Sequence, residues 1–228
     1  MGSIHDNLQA VRQRIARAAQ AAGRDPASVT LLAVSKTHPA ALVEQALAAG
    51  QRAFGENYVQ EALEKMEALP GGAMEWHLIG PLQSNKTRVV AERFDWVQSV
   101  ESEKIARRLS AQRPAGAAPL NVLIQVNVSG EASKNGVAPD AVLSFGKAIR
   151  TFPNLRLRGL MAVPEPGAHA ARYRELRDLY EGLKGEFGFD TLSVGMSDDL
   201  ELAVAEGSTM VRIGTAIFGA RRKIRPAA

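Results

Sequence analysis

Short apolar runs alternate with amphipathic segments along most of this chain. The runs predict eight strands, at residues 31–35, 52–55, 76–79, 96–100, 122–128, 157–163, 192–194 and 210–213. Strands that alternate with helices indicate parallel pairing with right-handed crossovers. Nearly continuous apolar strands are typical of a sheet whose faces are covered by helices.

The segments between the runs have the spacing of helices. Before the first strand, apolar residues recur every three or four positions, Ser3 and Asp6 resemble a capping signal, and Gly23 predicts the end of the helix. Pro39 at a favoured first position predicts a second helix. Further helices are predicted at residues 58–68, 84–92, 102–112, 139–151, 170–187 and 198–205.

Eight strand–helix units predict a (β/α)8 barrel with an extra N-terminal helix, in one domain covering residues 1–228. The alternative is an open, doubly wound sheet. No G-x-G-x-x-G sequence follows the first strand, which argues against the usual dinucleotide-binding form of that alternative.

Composition narrows the function classes. The 228 residues include 28 basic and 24 acidic side chains, and a net charge of +4 is a weak reason to expect a nucleic-acid partner. The absence of cysteine excludes disulfides and thiolate chemistry, and the four histidines lack metal-ligand spacing. Without an apolar run of membrane length or a signal-peptide pattern, we expect a soluble cytoplasmic protein that binds neither membranes nor nucleic acid.

Lys36 follows the first predicted strand directly. Chemistry in a barrel of this kind lies where the strands end. A partly desolvated lysine there has a lowered pKa, and its free amine can attack a carbonyl. The alternative is an ordinary solvated lysine at the start of a loop.

Two segments near the C-terminus suit an anion. Ser197 follows the seventh strand and is expected to cap the next helix, while Gly214 and Thr215 follow the eighth. Loops after these two strands are the usual phosphate site of the fold. The alternative is a helix cap followed by a tight turn, and Asp198 and Asp199 would repel a phosphate unless they point away.

Asn57 follows the second predicted strand, and His77 lies within the third. Each is a candidate to hydrogen-bond a ligand at the barrel mouth. The alternatives are that Asn57 caps the next helix and that His77 is a satisfied core residue. The polar loop 129–136 is either a lid or, more simply, plain surface.

Taken together, these segments resemble the pyridoxal phosphate homeostasis protein family, which is similar to the N-terminal barrel domain of alanine racemase among the fold-type III enzymes of pyridoxal 5′-phosphate (PLP). The motifs that carry the resemblance occur in order along nearly the whole chain: Ala33-Val34-Ser35-Lys36-Thr37, Phe54-Gly55-Glu56-Asn57, His77-Leu78-Ile79-Gly80-Pro81-Leu82-Gln83-Ser84-Asn85-Lys86, Gly159-Leu160-Met161, Gly195-Met196-Ser197-Asp198-Asp199 and Arg212-Ile213-Gly214-Thr215-Ala216-Ile217-Phe218-Gly219.

The resemblance implies that PLP is the cofactor and that Lys36 holds it as a Schiff base. It also implies that Arg212 lies near the pyridine nitrogen and Asn57 near the ring. The phosphate is expected on Ser197, Gly214 and Thr215.

The implied role is vitamin B6 homeostasis without established catalysis. Fold-type III enzymes carry a second, β-rich domain after the barrel, and this sequence stops nine residues after Gly219. An arginine partner would also leave the pyridine nitrogen largely unprotonated and the ring a weaker electron sink. We therefore expect a PLP carrier or regulator, a monomer, with apo PLP-dependent enzymes as candidate partners.

Two other functions remain open. One is a racemase-like PLP enzyme with an open site. The other is an interaction protein whose N-terminal helix docks a partner or RNA through Arg12, Arg14 and Arg17, although that face is more simply a solvated surface.

Overall fold

In the computed structural model, which describes residues 2–71, 73–131, 135–165 and 167–220, eight parallel strands close into a barrel in chain order. The first strand pairs with the last, so that Thr30 faces Met210 and Ala33 faces Ile213. The strands are β1 (Thr30–Val34), β2 (Ala53–Glu56), β3 (Glu75–Leu78), β4 (Trp96–Val100), β5 (Leu120–Gln125), β6 (Leu155–Met161), β7 (Thr191–Ser193) and β8 (Met210–Ile213). The predicted barrel is confirmed, and the open sheet is excluded by the β1–β8 pairing.

A helix follows each strand, and a short 3₁₀ turn precedes that helix after β3 (Ser84–Lys86) and after β5 (Pro139–Ala141). The helices are α1 (Ile4–Ala21), α2 (Ala40–Ala48), α3 (Val59–Ala68), α4 (Thr87–Arg93), α5 (Glu103–Gln112), α6 (Val142–Arg150), α7 (Ala170–Phe187), α8 (Leu200–Ala205) and α9 (Thr215–Phe218). In the described part of the chain, none of these helices has both the length and the apolar character needed to cross a membrane.

The extra helix α1 forms as predicted. The Asp6 N–H donates to Ser3 Oγ at 3.1 Å and the Ser3 N–H donates to Asp6 Oδ2 at 3.2 Å, which is a complete capping box. Its apolar face, which includes Leu8 and Val11, is buried. The helix packs against α2, α8 and α9, so it adjoins the two helices that follow β7 and β8.

Several predicted helix boundaries are wrong by a few residues. Pro39 is the N-cap of α2 rather than its first residue. The segment predicted as one helix at 84–92 is a 3₁₀ turn at Ser84–Lys86 followed by α4. The helix predicted from residue 198 begins at Leu200, and the short α9 was not predicted.

The interior of the barrel contains buried polar side chains as well as apolar ones. His77 on β3 is fully buried and stacks on Trp96, with the ring centroids 5.0 Å apart. Its Nε2 lies 2.8 Å from Glu75 Oε1 and its Nδ1 lies 2.9 Å from Gln98 Nε2. His77 is therefore a satisfied core residue, and burial lowers the pKa of its imidazole despite the opposing effect of Glu75.

This burial makes the stability of the protein dependent on pH. Because the folded state disfavours the His77 imidazolium, the unfolded chain binds a proton more readily below its ordinary pKa of about 6.5. The stabilisation is complete above that pH and is lost as the pH falls below it. We expect the free energy of unfolding, measured with urea, to decrease between pH 7.5 and pH 5.

The His77→Gln variant should lose this decrease, because glutamine keeps a donor and an acceptor but does not titrate. The comparison separates the contribution of His77 to the pH dependence from those of Glu56 and Asp95. Burial raises the pKa values of these two carboxyl groups, so they make the free energy of unfolding increase as the pH falls. His5→Gln, at an exposed position, is the matched control. An unchanged pH dependence in His77→Gln would contradict the assignment.

Candidate functional site

A cavity of about 370 Å³ opens at the carboxyl ends of the strands. Its lining comes from the ends of β1, β2, β3, β6, β7 and β8 and includes the six residues that the resemblance implies for PLP binding. The lining residues are Val34, Lys36, His38, Asn57, Ile79, Val163, Met196, Ser197, Asp198, Arg212, Gly214 and Thr215.

Lys36 is half-buried in the turn that follows β1. Its neighbour Thr37 has a φ of 65°, a left-handed conformation that is rare for a β-branched residue. The Thr37 N–H donates to Glu61 Oε1 at 2.5 Å, and the Ser35 hydroxyl donates to Glu56 Oε1 at 2.6 Å. The residues on both sides of Lys36 thus bond to carboxylates from β2 and α3, Ser35 through its side chain and Thr37 through its backbone.

Lys65 joins these carboxylates from α3. Its Nζ donates to Ser35 O at 2.7 Å, Glu56 Oε1 at 2.6 Å and Glu61 Oε1 at 2.7 Å. The side chains of Lys65 and Glu56 are 5% and 0% exposed, and burial raises the pKa of Glu56. Breaking such a buried pair costs about 3–5 kcal/mol. The sequence analysis missed this network, because Glu61 and Lys65 look like an ordinary surface pair four residues apart on a helix.

Asn57 follows β2 and faces the cavity. Its Oδ1 is buried and has no hydrogen-bond partner among the residues that the structure describes. Gly80 packs directly against its backbone: a Cβ at Gly80 would lie 2.3 Å from Asn57 O, so only glycine fits there. The Gly80 carbonyl in turn accepts a hydrogen bond from Ser99 Oγ at 2.7 Å.

The segment after β7 is a turn stabilised by Asp199. Its Oδ1 accepts the Met196 N–H and its Oδ2 accepts the hydroxyl of Tyr173 on α7. Burial and this hydrogen bond raise the pKa of Tyr173. Asp199 is the N-cap residue of α8, so the prediction that Ser197 caps this helix is wrong: the bonds of Asp199 keep the preceding residues in a turn. Asp199 is directed to these partners, whereas Asp198 lines the cavity.

Helix α1 contacts the same turn from outside. Arg14 Nη2 donates to Ser197 O at 3.1 Å, and its Nε and Nη2 each lie 2.9 Å from a carboxylate oxygen of Glu201. Arg12 donates to Ala49 O at 3.2 Å. Two of the three arginines considered for docking a partner are therefore in contact with this chain's own backbone.

Gly214 and Thr215 complete the cavity after β8. A Cβ at Gly214 would lie 3.1 Å from Val34 O, which is tighter than an ordinary contact. The glycine therefore lets the ends of β8 and β1 approach closely. Thr215 is exposed and is the first residue of α9.

Arg212 extends from β8 and is buried. Its Nη1 donates to Ser193 O at 2.7 Å and to Ser193 Oγ at 2.9 Å, and its Nη2 donates to Ala162 O at 2.7 Å. Burial lowers the pKa of the guanidinium to about 10, so it keeps its charge at neutral pH. It is a fixed positive group on the wall of the cavity.

The structure places three residues near the cavity differently from what the sequence alone indicated. His77 lies inside the barrel and is not a lining residue. Tyr58, the first residue of the helix predicted at 58–68, is instead the N-cap of α3 and is 62% exposed. His38 lines the cavity and stacks on Phe218, and nothing in the sequence beyond its closeness to Lys36 pointed to it. Residues 132–134 of the candidate lid lie outside the described residues.

Comparison with known proteins agrees with this architecture. Residues 7–222 match the family model described as the N-terminal domain of alanine racemase. The pyridoxal phosphate homeostasis protein of Pseudomonas aeruginosa is 60% identical, and the alignment covers 100% of each chain. The Escherichia coli protein of that name is 52% identical over 97% of this chain and 98% of its own.

The chain belongs to the pyridoxal phosphate homeostasis protein family. A solved relative is PipY of Synechococcus elongatus PCC7942 with PLP bound, which is 37% identical with a TM-score of 0.80. The comparison covers 95% of this family member and 100% of PipY.

The chemistry of the cavity suits PLP. One space is lined by an amine, a buried charged guanidinium, an amide oxygen without a partner among the described residues, a glycine and two hydroxyl-bearing residues. An aldehyde, an aromatic ring with polar substituents and a phosphate need partners of these kinds.

Proposed function

We propose that this protein binds PLP in the cavity, with Lys36 joined to the cofactor, and that it serves PLP homeostasis rather than catalysis. The observation that carries the proposal is the meeting of Lys36 with Ser197, Gly214 and Thr215 in one cavity. The names of the family members and the PLP-bound relative PipY support it.

Each lining group has a role in this proposal. The Lys36 amine would condense with the aldehyde, forming a C=N bond in place of the aldehyde C=O bond with the loss of one water molecule. The hydroxyls of Ser197 and Thr215 and the backbone near Gly214 donate hydrogen bonds to the phosphate. Arg212 donates to the ring nitrogen, and Asn57 donates or accepts at the polar edge of the ring.

Asp198 is the group that opposes phosphate binding, because its carboxylate also lines the cavity. It is exposed at the rim, where solvent screens its charge. In the proposed arrangement the phosphate would be held by the turn after β7 and the backbone near Gly214.

The test is a titration with PLP and with pyridoxal, which shares the aldehyde and ring but lacks the phosphate, followed by absorbance. Hydrogen bonds to a charged group contribute about 1.5–3 kcal/mol each, so two of them favour PLP by about 100-fold or more. Transfer of the bound PLP to an apo-enzyme in the same cuvette tests the carrier role. Equal affinities would mean that the phosphate is not recognised in this cavity.

Gly214→Val should weaken PLP binding by about 10-fold or more, because its Cβ would press on the Val34 carbonyl beside Lys36. Gly182→Val is the matched control, since nothing lies within 4 Å of a Cβ at that position on α7. A similar PLP affinity in the two variants would argue against close backbone approach at residue 214.

A further inference from the structure

A chain of hydrogen bonds crosses the interior of the barrel and ends at the cavity. Its links join Glu75 to His77, His77 to Gln98, Gln98 to Ser193 and Ser193 to Arg212, at 2.8, 2.9, 2.7 and 2.9 Å. The first two residues lie on β3, and the others on β4, β7 and β8. Since β4 and β7 are not neighbours in the barrel, the bond between Gln98 and Ser193 spans its interior.

The two ends together set the direction of the links: Arg212 can only donate, and the Glu75 carboxylate, whose pKa is lowered by its hydrogen bond with His77, can only accept. Ser193 Oγ accepts from Arg212 and gives its own proton to Gln98 Oε1. The amide nitrogen of Gln98 then donates to His77 Nδ1. His77 must carry its proton on Nε2, from which it donates to Glu75.

Besides stabilising the fold, this chain of hydrogen bonds fixes a side chain at the cavity. The interiors of such barrels are usually filled by branched aliphatic side chains, and a buried polar network stabilises a fold only when every member is satisfied. His77, Gln98 and Ser193 are completely buried here, and each has its partner. Because its members are buried and partnered, the chain also holds the Arg212 guanidinium in a single position.

Arg212 has five N–H donors. Ser193 O, Ser193 Oγ and Ala162 O accept three bonds, and the remaining two N–H groups have no hydrogen-bond partner in the described ranges of the chain. The side chain is thus held on one side by the barrel while part of its donor capacity is left for a ligand.

We propose that His77, Gln98 and Ser193 are positioning residues that fix the Arg212 guanidinium toward the ring nitrogen of PLP. This inference rests on the proposed function, because it assumes that PLP occupies the cavity. The chain requires a neutral His77: an imidazolium would place a second donor at Nδ1 against the Gln98 amide nitrogen. Glu75 and Asp95 are the acidic groups near His77, and the burial that lowers its pKa supports the neutral form.

The experiment compares the affinities for PLP and for 1-deaza-PLP, which keeps the phosphate and aldehyde but lacks the ring nitrogen. The wild-type protein should prefer PLP by about 10-fold or more, the effect of one hydrogen bond with a charged partner. Gln98→Leu and Ser193→Ala should reduce this preference toward that of Arg212→Met. Ser110→Ala, which removes a buried hydroxyl from α5, should retain it.

The outcomes separate this inference from the proposed function. If wild-type protein binds neither compound, the proposed function fails. If it prefers PLP and both chain variants keep that preference, the positioning role is overturned while the function stands. A second measurement needs no variant, so it still tests the inference if the variants do not fold. In nitrogen NMR of the wild-type protein, His77 should be neutral and protonated at Nε2 from pH 6 to 8. A proton on Nδ1, or an imidazolium, would overturn the chain.

Discussion

Replacing Lys36 with alanine is expected to abolish covalent attachment of PLP. Borohydride reduces a C=N bond to a stable amine, so treatment of the loaded wild-type protein should fix the cofactor on the peptide that contains Lys36. The variant should lose both the fixed adduct and the absorbance band of the linked cofactor. It should keep weaker, reversible binding, because the groups proposed to contact the phosphate and ring nitrogen are unchanged.

Two other lysines make the experiment specific. Lys104 is exposed on α5, and Lys104→Ala should behave like wild type. Lys65 lies close to the turn of Lys36, but its Nζ already donates three hydrogen bonds to Ser35, Glu56 and Glu61. We therefore expect no adduct on Lys65. A reduced adduct on Lys65 or another lysine, with the band retained in Lys36→Ala, would overturn the assignment of Lys36.

The positions of the site residues could be predicted because they depend on topology. In a parallel barrel the carboxyl ends of all strands lie at one end. A residue that directly follows an apolar run, such as Lys36, Asn57 or Gly214, therefore faces the same space whatever its distance along the chain. The alternation of runs predicted this common end of the barrel, and the resemblance to the family supplied the expectation that these residues form one site.

Contacts that depend on side-chain direction could not be predicted in this way. The burial of Lys65 follows from where α3 packs against the turn after β1, which no local pattern encodes. The link between Gln98 and Ser193 requires two side chains from opposite walls to meet inside the barrel.

The resemblance to racemases raises the question of whether this protein turns over amino acids. Turnover requires a group that moves a proton at the Cα of a bound amino acid, and the cavity contains few such groups. Apart from Lys36 and the arginine, the titratable side chains among the described lining residues are His38 and Asp198. His38 stacks on Phe218 at 5.3 Å between ring centroids. Asp198 is exposed, where hydration weakens a carboxylate as a base. Tyr173 already donates its hydroxyl to Asp199, and its pKa is raised.

We accordingly expect this protein not to turn over amino acids at a useful rate. Besides Lys36, the described lining offers no second positioned acid or base, which costs about 10²- to 10⁴-fold in rate, and the proposed contact of Arg212 with the ring nitrogen would make the ring a poorer electron sink. With alanine or serine in deuterated water, Cα exchange followed by NMR should stay within about 10-fold of that with free PLP. Exchange far above this level, with formation of the D-isomer and loss in Lys36→Ala, would favour the racemase alternative. His38→Gln and Asp198→Asn would then identify the base, because only the variant that removes it would abolish the exchange.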